Sequence, residues 1–256
     1  MRALVCVKYV PTEAGAAMDA AGRLVRRADA QQLNPADEAA LALALQLCGG
    51  ENVTVLCMGA AFCARPLHEL LERGAARAVL LSGAGFAGAD SLATARTLAA
   101  AAKRLGPFDL ILCGRRTLDG ETGQVPAELA ALLGLPCLTN VTAAVPDGAA
   151  LRCTRLLESG AAALRCVLPA VLTLCEYSCV LPAPSLAGIR AARSRAAEVW
   201  DESALDLPAA QRGLAGSPTR VQEIGVCTAG RRHVRRTDRP DEGAAGLAAL
   251  LREAMR

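Results

Sequence analysis

Short, almost continuously apolar runs alternate with helix-like segments through the first half of the chain, and no other feature of the sequence constrains the fold as strongly. The runs are ALVCVKYV, VTVLCMG, ARAVLL and FDLILCG, at residues 3–10, 53–59, 76–81 and 108–114. Each run has the length of a strand, and its apolar character is typical of a strand that is covered on both faces.

Helices separate these strands. Asn34-Pro35 opens the first helix, because Asn is a good N-cap and Pro suits the first helical position. A second helix covers residues 63–73, and a third covers residues 90–106 with Asp90 or Ser91 as its cap. Because strand and helix alternate, we predict an α/β fold: a Rossmann-like, doubly wound, mostly parallel sheet with helices on both faces.

The rhythm changes in the second half of the chain. Strand-like segments around 137–145, 149–157 and 162–175 follow one another, with a turn signal at Pro146-Asp147-Gly148. We therefore predict a small antiparallel extension of the sheet. Beyond Glu198 no period is sustained until a helix at about 241–255. The sequence thus indicates one domain at residues 1–197 and an extended C-terminal arm at residues 198–256, which has too little core of its own and is expected to lie on another surface.

Charge and cysteine content exclude several classes of protein. The net charge is only +3, and the arginines within 231–239 have no interleaved aromatic residues, so we expect no nucleic-acid binding. Eleven cysteines without a C-x-x-C motif favour buried free thiols in a reducing cytoplasm over disulfides or a metal site. Because no apolar stretch is long enough to span a bilayer and Met1-Arg2 leads straight into a strand, we expect a cytoplasmic protein without membrane insertion.

Two of the loops at the carboxyl ends of the strands are candidates for ligand binding. Residues 8–11 should lie beside Asn34–Asp37, where the two segments could enclose an adenosine. Residues Gly83–Gly88 spell GAGFAG, a literal G-x-G-x-x-G. That match lacks the context of a dinucleotide site, because Asp109 stands at the beginning of the next strand rather than at its end. A flexible loop is the preferred interpretation, and an NAD site is the alternative.

The third loop, CGRRTLDGETGQ at residues 113–124, is the best placed. If Thr122 caps the following helix, the N–H groups of residues 123–125 point outward and can bind an anion, with the Thr122 hydroxyl as an added donor. Asp119 and Glu121 would repel a phosphate directly, so we expect them to cap amides or to meet a ribose. The alternative is an ordinary loop rich in turn-forming residues. No histidine or carboxylate pair suggests a catalytic residue.

With these elements in place, the sequence resembles the beta subunit of an electron transfer flavoprotein. The resemblance covers nearly the whole chain and rests on ALVCVKYVP, QLNPADEAALALAL, DSLATARTLA, FDLILCGRRTLDGETGQVPAELAALLGLP, LPAVLTL, PSLAGIRAAR and GLAGSPTRV. It implies pairing with an alpha subunit that holds FAD, and a nucleotide site that takes AMP or, in an electron-bifurcating subset, a second FAD with NADH as electron donor. The compact DGETGQV form is similar to that subset and favours FAD.

The resemblance also implies the roles of individual residues. Leu186 aligns with a leucine that docks into a client, an acyl-CoA-type or other flavin dehydrogenase; the alternative is a buried leucine at a helix start. The arm at 198–256 is expected to wrap the alpha subunit. The cofactor-binding residues implied are Cys6, Asn34, Pro35, Ala36, Asp37, Met58, Gly114, Arg115, Arg116, Thr117, Leu118, Asp119, Gly120, Glu121, Thr122, Gly123, Gln124 and Val125.

The chain departs from the family pattern in two places. Residues 179–184 replace a segment of the form N-E-P-R, so the sequence does not predict which dehydrogenase is the client. In the nucleotide loop, QVPAEL replaces the more common QVGPEL. We expect an electron-carrier subunit that passes electrons between a dehydrogenase, or NADH, and an acceptor through flavin. The alternative is a stand-alone adenine-nucleotide-binding regulatory module, or an NAD-dependent enzyme that uses Gly83–Gly88.

Overall fold

The apolar runs come together as one large sheet in the computed structural model of the protein, which describes residues 1–12, 17–18, 24–25, 27–222 and 239–254. The chain divides into two units, Met1–Arg220 and Val221–Arg256. The first unit holds the sheet and its covering helices. Within the described part of the second unit the chain forms one helix at its C-terminal end.

The strands and helices are numbered in chain order. The strands are β1 (Ala3–Val7), β2 (Tyr9–Pro11), β3 (Ala17–Met18), β4 (Leu24–Val25), β5 (Gln31–Leu33), β6 (Val53–Met58), β7 (Arg77–Leu81), β8 (Leu110–Gly114), β9 (Cys137–Asp147), β10 (Ala150–Leu157), β11 (Gly160–Val167), β12 (Ala170–Leu174) and β13 (Glu198–Trp200). The helices are α1 (Pro35–Cys48), α2 (Ala64–Glu72), α3 (Ser91–Leu105), α4 (Val125–Leu133), α5 (Leu186–Ala192) and α6 (Pro240–Ala254).

The order of the strands confirms the predicted topology. Nine strands form the sheet in the order β11-β10-β9-β12-β8-β1-β6-β7-β13. Across the sheet from β9 to the edge strand β13, neighbouring strands run parallel. On the other side, β9 pairs antiparallel with β10, and β10 pairs antiparallel with β11. Strands β2 and β5 form a separate antiparallel ribbon, as do β3 and β4. The mostly parallel sheet with a small antiparallel extension is therefore confirmed.

One predicted strand was wrong in its extent. Residues 162–175 were expected to form a single antiparallel strand, but the chain forms β11 and β12 on either side of Leu168-Pro169. Proline has no N–H to donate to a ladder, so a strand is interrupted there. Strand β12 is buried along its whole length and lies between β9 and β8, parallel to both, where a continuous apolar sequence is expected.

Two layers of helices cover the parallel part of the sheet. Helices α1 and α2 pack with one face of it, and α3 and α4 pack with the other. Their buried positions are mostly Ala and Leu, because aromatic residues make up only 2% of the sequence. Small side chains let helices approach the strands closely, and the core is made mainly of aliphatic residues.

The described cysteines are free, and eight of these ten thiols are buried, among them Cys6 and Cys113. The hydrogen bond that the Cys113 thiol makes with the neighbouring Cys6 and its burial together raise the pKa of Cys113, so this thiol stays protonated. Among the helices in the described residues, none is long and apolar enough to cross a membrane.

The segment that follows the predicted domain boundary at 197/198 begins as part of the sheet. Strand β13 pairs with β7 at the sheet edge, and residues up to Arg220 belong to the first unit. The predicted C-terminal helix is present as α6. Most of the arginine cluster, Arg231 to Arg236, lies outside the described residues. That the arm wraps a partner stays a prediction.

Candidate functional site

The strand order reverses between β1 and β8, and this point defines the candidate site. From β1 the chain passes through α1 to β6 on one side, whereas β8, which follows α3, lies on the other side of β1. Ligands of open α/β sheets bind in the crevice at such a reversal, beyond the carboxyl ends of the strands. Lys8 follows β1 and Gly114 ends β8, so the predicted loops meet here.

Asp37, in the first turn of α1, joins the ends of these two strands. One of its carboxylate oxygens accepts a hydrogen bond from the Gly114 N–H at 2.9 Å, and the other accepts from the Lys8 N–H at 2.8 Å. A Cβ atom at Gly114 would lie 2.3 Å from the Asp37 Oδ1 atom. Glycine is therefore required at the end of β8 because the carboxylate occupies the space of a side chain.

The environment of Asp37 opposes ionisation. Burial raises the pKa of this carboxyl to about 7, although hydrogen bonds from Asn34, Lys8 and Gly114 and the positive charge of Lys8 act in the opposite direction. The carboxyl is thus held where its charge state changes near neutral pH.

Asn34 holds the middle of the 114–124 loop. Its side-chain amide donates to the Arg116 carbonyl at 2.9 Å, and its side-chain oxygen accepts from the Leu118 N–H at 3.3 Å. Asn34 is the N-cap residue of α1, as predicted, but its side chain forms no capping hydrogen bond with the helix. The side chain instead holds the loop in place. An amide suits this position before Pro35 because it can both donate and accept a hydrogen bond.

The two acidic residues of the loop are paired with cations. The Lys8 ammonium lies 2.8 Å from the Asp119 carboxylate, whose side chain is only 4% exposed. Burial opposes ionisation of Asp119, but the charge of Lys8 and hydrogen bonds outweigh it, so the pKa of this carboxyl lies below its ordinary value. Asp119 also accepts from the Gly120 N–H, in line with the expectation that it caps an amide, and Glu121 pairs with the Arg116 guanidinium. Because both charges are compensated, the loop is less repulsive to an anion than its sequence suggests.

Helix α4 begins later than predicted. Gln124 occupies the N-cap position, Pro126 lies in the first turn, and no side chain caps the helix. The expected Thr122 cap is therefore wrong: the Thr122 hydroxyl reaches only the Gln124 N–H, at 3.5 Å. The physical reason is that Gly123 takes a left-handed φ of 63°, so the helix cannot start before it. The first-turn amides of α4 lack partners within the helix, and residues 121–124 are exposed.

The remaining predicted site residues lie on the same edge. Cys6 is buried in β1, Met58 is partly exposed at the end of β6, and Pro35 and Ala36 form the first turn of α1. Arg115 pairs with Glu176, just after β12, at 2.7 Å. The roles of Lys8 and Glu176 were missed by sequence reasoning, since both act through partners that are distant in sequence. Two clefts of about 460 and 590 Å³ lie beside α1 and residues 177–182, and residues 114–125 do not line them.

In the GAGFAG loop, the side chain of Glu202 occupies the space beside the glycines where a dinucleotide would lie. The Gly85 N–H donates to the Glu202 carboxylate at 3.1 Å. A Cβ atom at Gly83 would lie 1.9 Å from a Glu202 carboxylate oxygen. A carboxylate against these glycines repels a pyrophosphate, so the structure argues against an NAD site in this loop.

Leu186 stands at the start of α5 and is 76% exposed. The alternative of a buried leucine at a helix start is therefore wrong. Ser185 caps the helix by accepting from the Gly188 N–H at 3.0 Å, and α5 packs tightly on α2, since a Cβ atom at Gly188 would lie 2.2 Å from the Glu72 carbonyl oxygen. The exposed side chains of Tyr177 and Val180 add to the apolar surface of this part of the first unit.

The fold and the site together define a doubly wound α/β protein. Where its strand order reverses, it has a glycine-containing loop held by side chains of α1 and its N-cap, followed by a helix N-terminus without a side-chain cap. Such a loop can bind an anion through backbone N–H groups and the helix dipole.

Comparisons with known proteins agree with this class and narrow it. Residues 22–205 match the model of the electron transfer flavoprotein domain. The chain is 37% identical over 226 residues to the electron transfer flavoprotein subunit beta of Clostridium acetobutylicum, covering 87% of each chain. It is 35% identical to the caffeyl-CoA reductase-Etf complex subunit CarD of Acetobacterium woodii, covering 86% of each, and 35% identical to protein FixA of Rhizobium meliloti, covering 93% of this chain and 85% of FixA. The chain belongs to the beta-subunit family of electron transfer flavoproteins.

Proposed function

We propose that this chain is the beta subunit of a heterodimeric electron transfer flavoprotein and holds an adenine nucleotide at residues 114–125. The observation that carries the proposal is the uncapped N-terminus of α4, placed at the strand reversal by Asn34 and Asp37. The backbone N–H groups of residues 123–125, of which Gly123 and Gln124 are exposed, would receive the phosphate or pyrophosphate, and the paired charges of Asp119 and Glu121 remove the main obstacle to an anion.

The proposed ligand is FAD, with AMP as the alternative. The compact DGETGQV segment favours FAD, because it is similar to the form found in the electron-bifurcating subset. When bound, flavin supplies the electron-transfer chemistry, and the protein supplies placement and electrostatics. The residues of this chain bind and orient the nucleotide, and NADH or a dehydrogenase of the acyl-CoA type would deliver electrons.

The proposed complex is cytoplasmic and contains an FAD-bearing alpha subunit. Residues 221–256, the part of the predicted arm beyond the first unit, would wrap that subunit, and Leu186 would dock on the client dehydrogenase. A stand-alone nucleotide-binding module would instead be stable and monodisperse on its own, which distinguishes the two functions.

The test is the nucleotide content of the complex purified with its alpha subunit. Thr122→Val combined with Gly123→Ala removes a hydroxyl and strains a backbone that needs φ of 63°. We expect nucleotide affinity to fall by about 1–3 kcal/mol, measured as FAD and AMP released on denaturation and as the concentration needed to refill the site. Gly148→Ala, in an exposed turn with a similar φ of 63° and no atom within 4 Å, is the control. Unchanged nucleotide content in the double variant would contradict the assignment.

A further inference from the structure

The G-x-G-x-x-G loop has no role in the proposed nucleotide site, yet its glycines are in close contact with another segment. We call residues 201–219, which follow β13, the strap. Glu202 of the strap accepts from the Gly85 N–H at 3.1 Å and occupies the space of a side chain at Gly83. The absence of side chains at Gly83 and Gly85 is therefore explained by the Glu202 carboxylate of the same chain, which lies against them.

A second contact joins backbone to backbone. The Leu214 N–H donates to the Ala87 carbonyl at 2.9 Å. Gly213 has a φ of 53°, and a Cβ atom there would lie 2.4 Å from the Gly85 carbonyl oxygen. Because the atom in the way is backbone rather than a flexible side chain, a larger residue at Gly213 must move the strap away from the loop.

Asp90 fixes the far end of the strap. One carboxylate oxygen caps α3 by accepting from the Ala93 N–H at 3.0 Å. The other accepts from the Thr219 N–H at 3.0 Å and from the Thr219 hydroxyl at 2.7 Å. The Asp90 N–H donates to the hydroxyl of Ser217, which is buried. The helix N-terminus that would otherwise attract an anion is thus filled by the strap.

We propose that the Gly83–Gly88 loop and Asp90 form an intramolecular receptor for the strap, and that this receptor fixes the point from which residues 221–256 reach the alpha subunit. The second half of this statement rests on the proposed function. An arm whose root is already ordered loses less conformational entropy when it binds, so anchoring increases affinity for the partner.

The first test compares two glycines with similar backbone conformations. Gly213→Ala and Gly148→Ala both place alanine at a left-handed φ, of 53° and 63°, but only Gly213 faces the glycine loop. We expect Gly213→Ala to weaken binding of the full-length chain to its alpha subunit by roughly tenfold and to expose residues 201–222 to proteolysis. Gly148→Ala should do neither, although the left-handed φ by itself should lower its unfolding midpoint in urea.

The second test removes one hydroxyl. Thr219→Val deletes the donor to Asp90, and Thr219→Ser keeps it. We expect about threefold weaker binding to the alpha subunit for Thr219→Val and near wild-type binding for Thr219→Ser. This pair decides the matter if Gly213→Ala does not fold. Wild-type affinity in Thr219→Val and in any folded Gly213→Ala would overturn the receptor proposal, whereas a wild-type chain that does not bind an alpha subunit would overturn the proposed function itself.

Discussion

Replacing Asp37 by asparagine tests how the site is held together, through its effect on stability. Burial raises the pKa of the Asp37 carboxyl from 3.8 to about 7. Because the folded-state value is higher than the unfolded one, the native protein takes up a proton between these values, and the contribution of this group to stability falls as the pH rises through 7. At about 1.4 kcal/mol per pKa unit, the loss between pH 5.5 and pH 8 is about 2 kcal/mol.

Asparagine removes this titration but keeps the shape of the side chain. At pH 8, where the wild-type carboxyl is ionised, the amide offers one acceptor where the carboxylate offers two, so the bond to Gly114 or to Lys8 is lost, at a cost of about 1–3 kcal/mol. Urea denaturation of the full-length chain, followed by circular dichroism at about pH 5.5 and pH 8, measures both effects. Wild type should lose about 2 kcal/mol more than Asp37→Asn over this range.

The control for this comparison is Asp29→Asn, which changes an exposed carboxylate that pairs with Arg27. It should keep the pH dependence of the wild type. If wild type and Asp37→Asn lose the same stability between the two pH values, the account of Asp37 as a buried, high-pKa carboxyl is refuted.

Two further predictions concern binding. Lys8→Gln leaves the buried Asp119 carboxylate without its ammonium partner. Nucleotide affinity of the purified complex, measured by titration with FAD or AMP, should therefore fall by about 1–2 kcal/mol. An unchanged affinity would show that Asp119 does not face the ligand. Leu186→Ser changes an exposed side chain, so the free energy of unfolding in urea should stay within about 0.5 kcal/mol of wild type. Electron transfer from the client dehydrogenase should slow, and rates equal to those of wild type would rule out docking at this leucine.

The fold was largely predictable because its signals are local. A buried parallel strand needs a short apolar run, and Asn followed by Pro is typical of a helix start, so ALVCVKYV and Asn34-Pro35 each indicate their own structure. The cap at Asp90 was predicted for the same reason and is confirmed. The error at 162–175 arose where Pro169 divides one continuous apolar segment, since periodicity alone does not separate two buried strands.

The site was predicted less completely, because its geometry depends on contacts between distant parts of the chain. Asp37 bonds to Gly114 across 77 positions, and Lys8 pairs with Asp119 across 111. No local pattern specifies such pairs. The Thr122 cap failed for a different reason: a glycine in the next position allows a left-handed turn that delays the helix.

The most direct measurement is the structure of the assembled heterodimer with its bound nucleotides. We predict that the phosphate or pyrophosphate of FAD or AMP lies against the backbone N–H groups at the start of α4, with Lys8 still bonded to Asp119. A complex in which that loop binds nothing, while the Gly83–Gly88 loop releases Glu202 and holds a pyrophosphate, would contradict it.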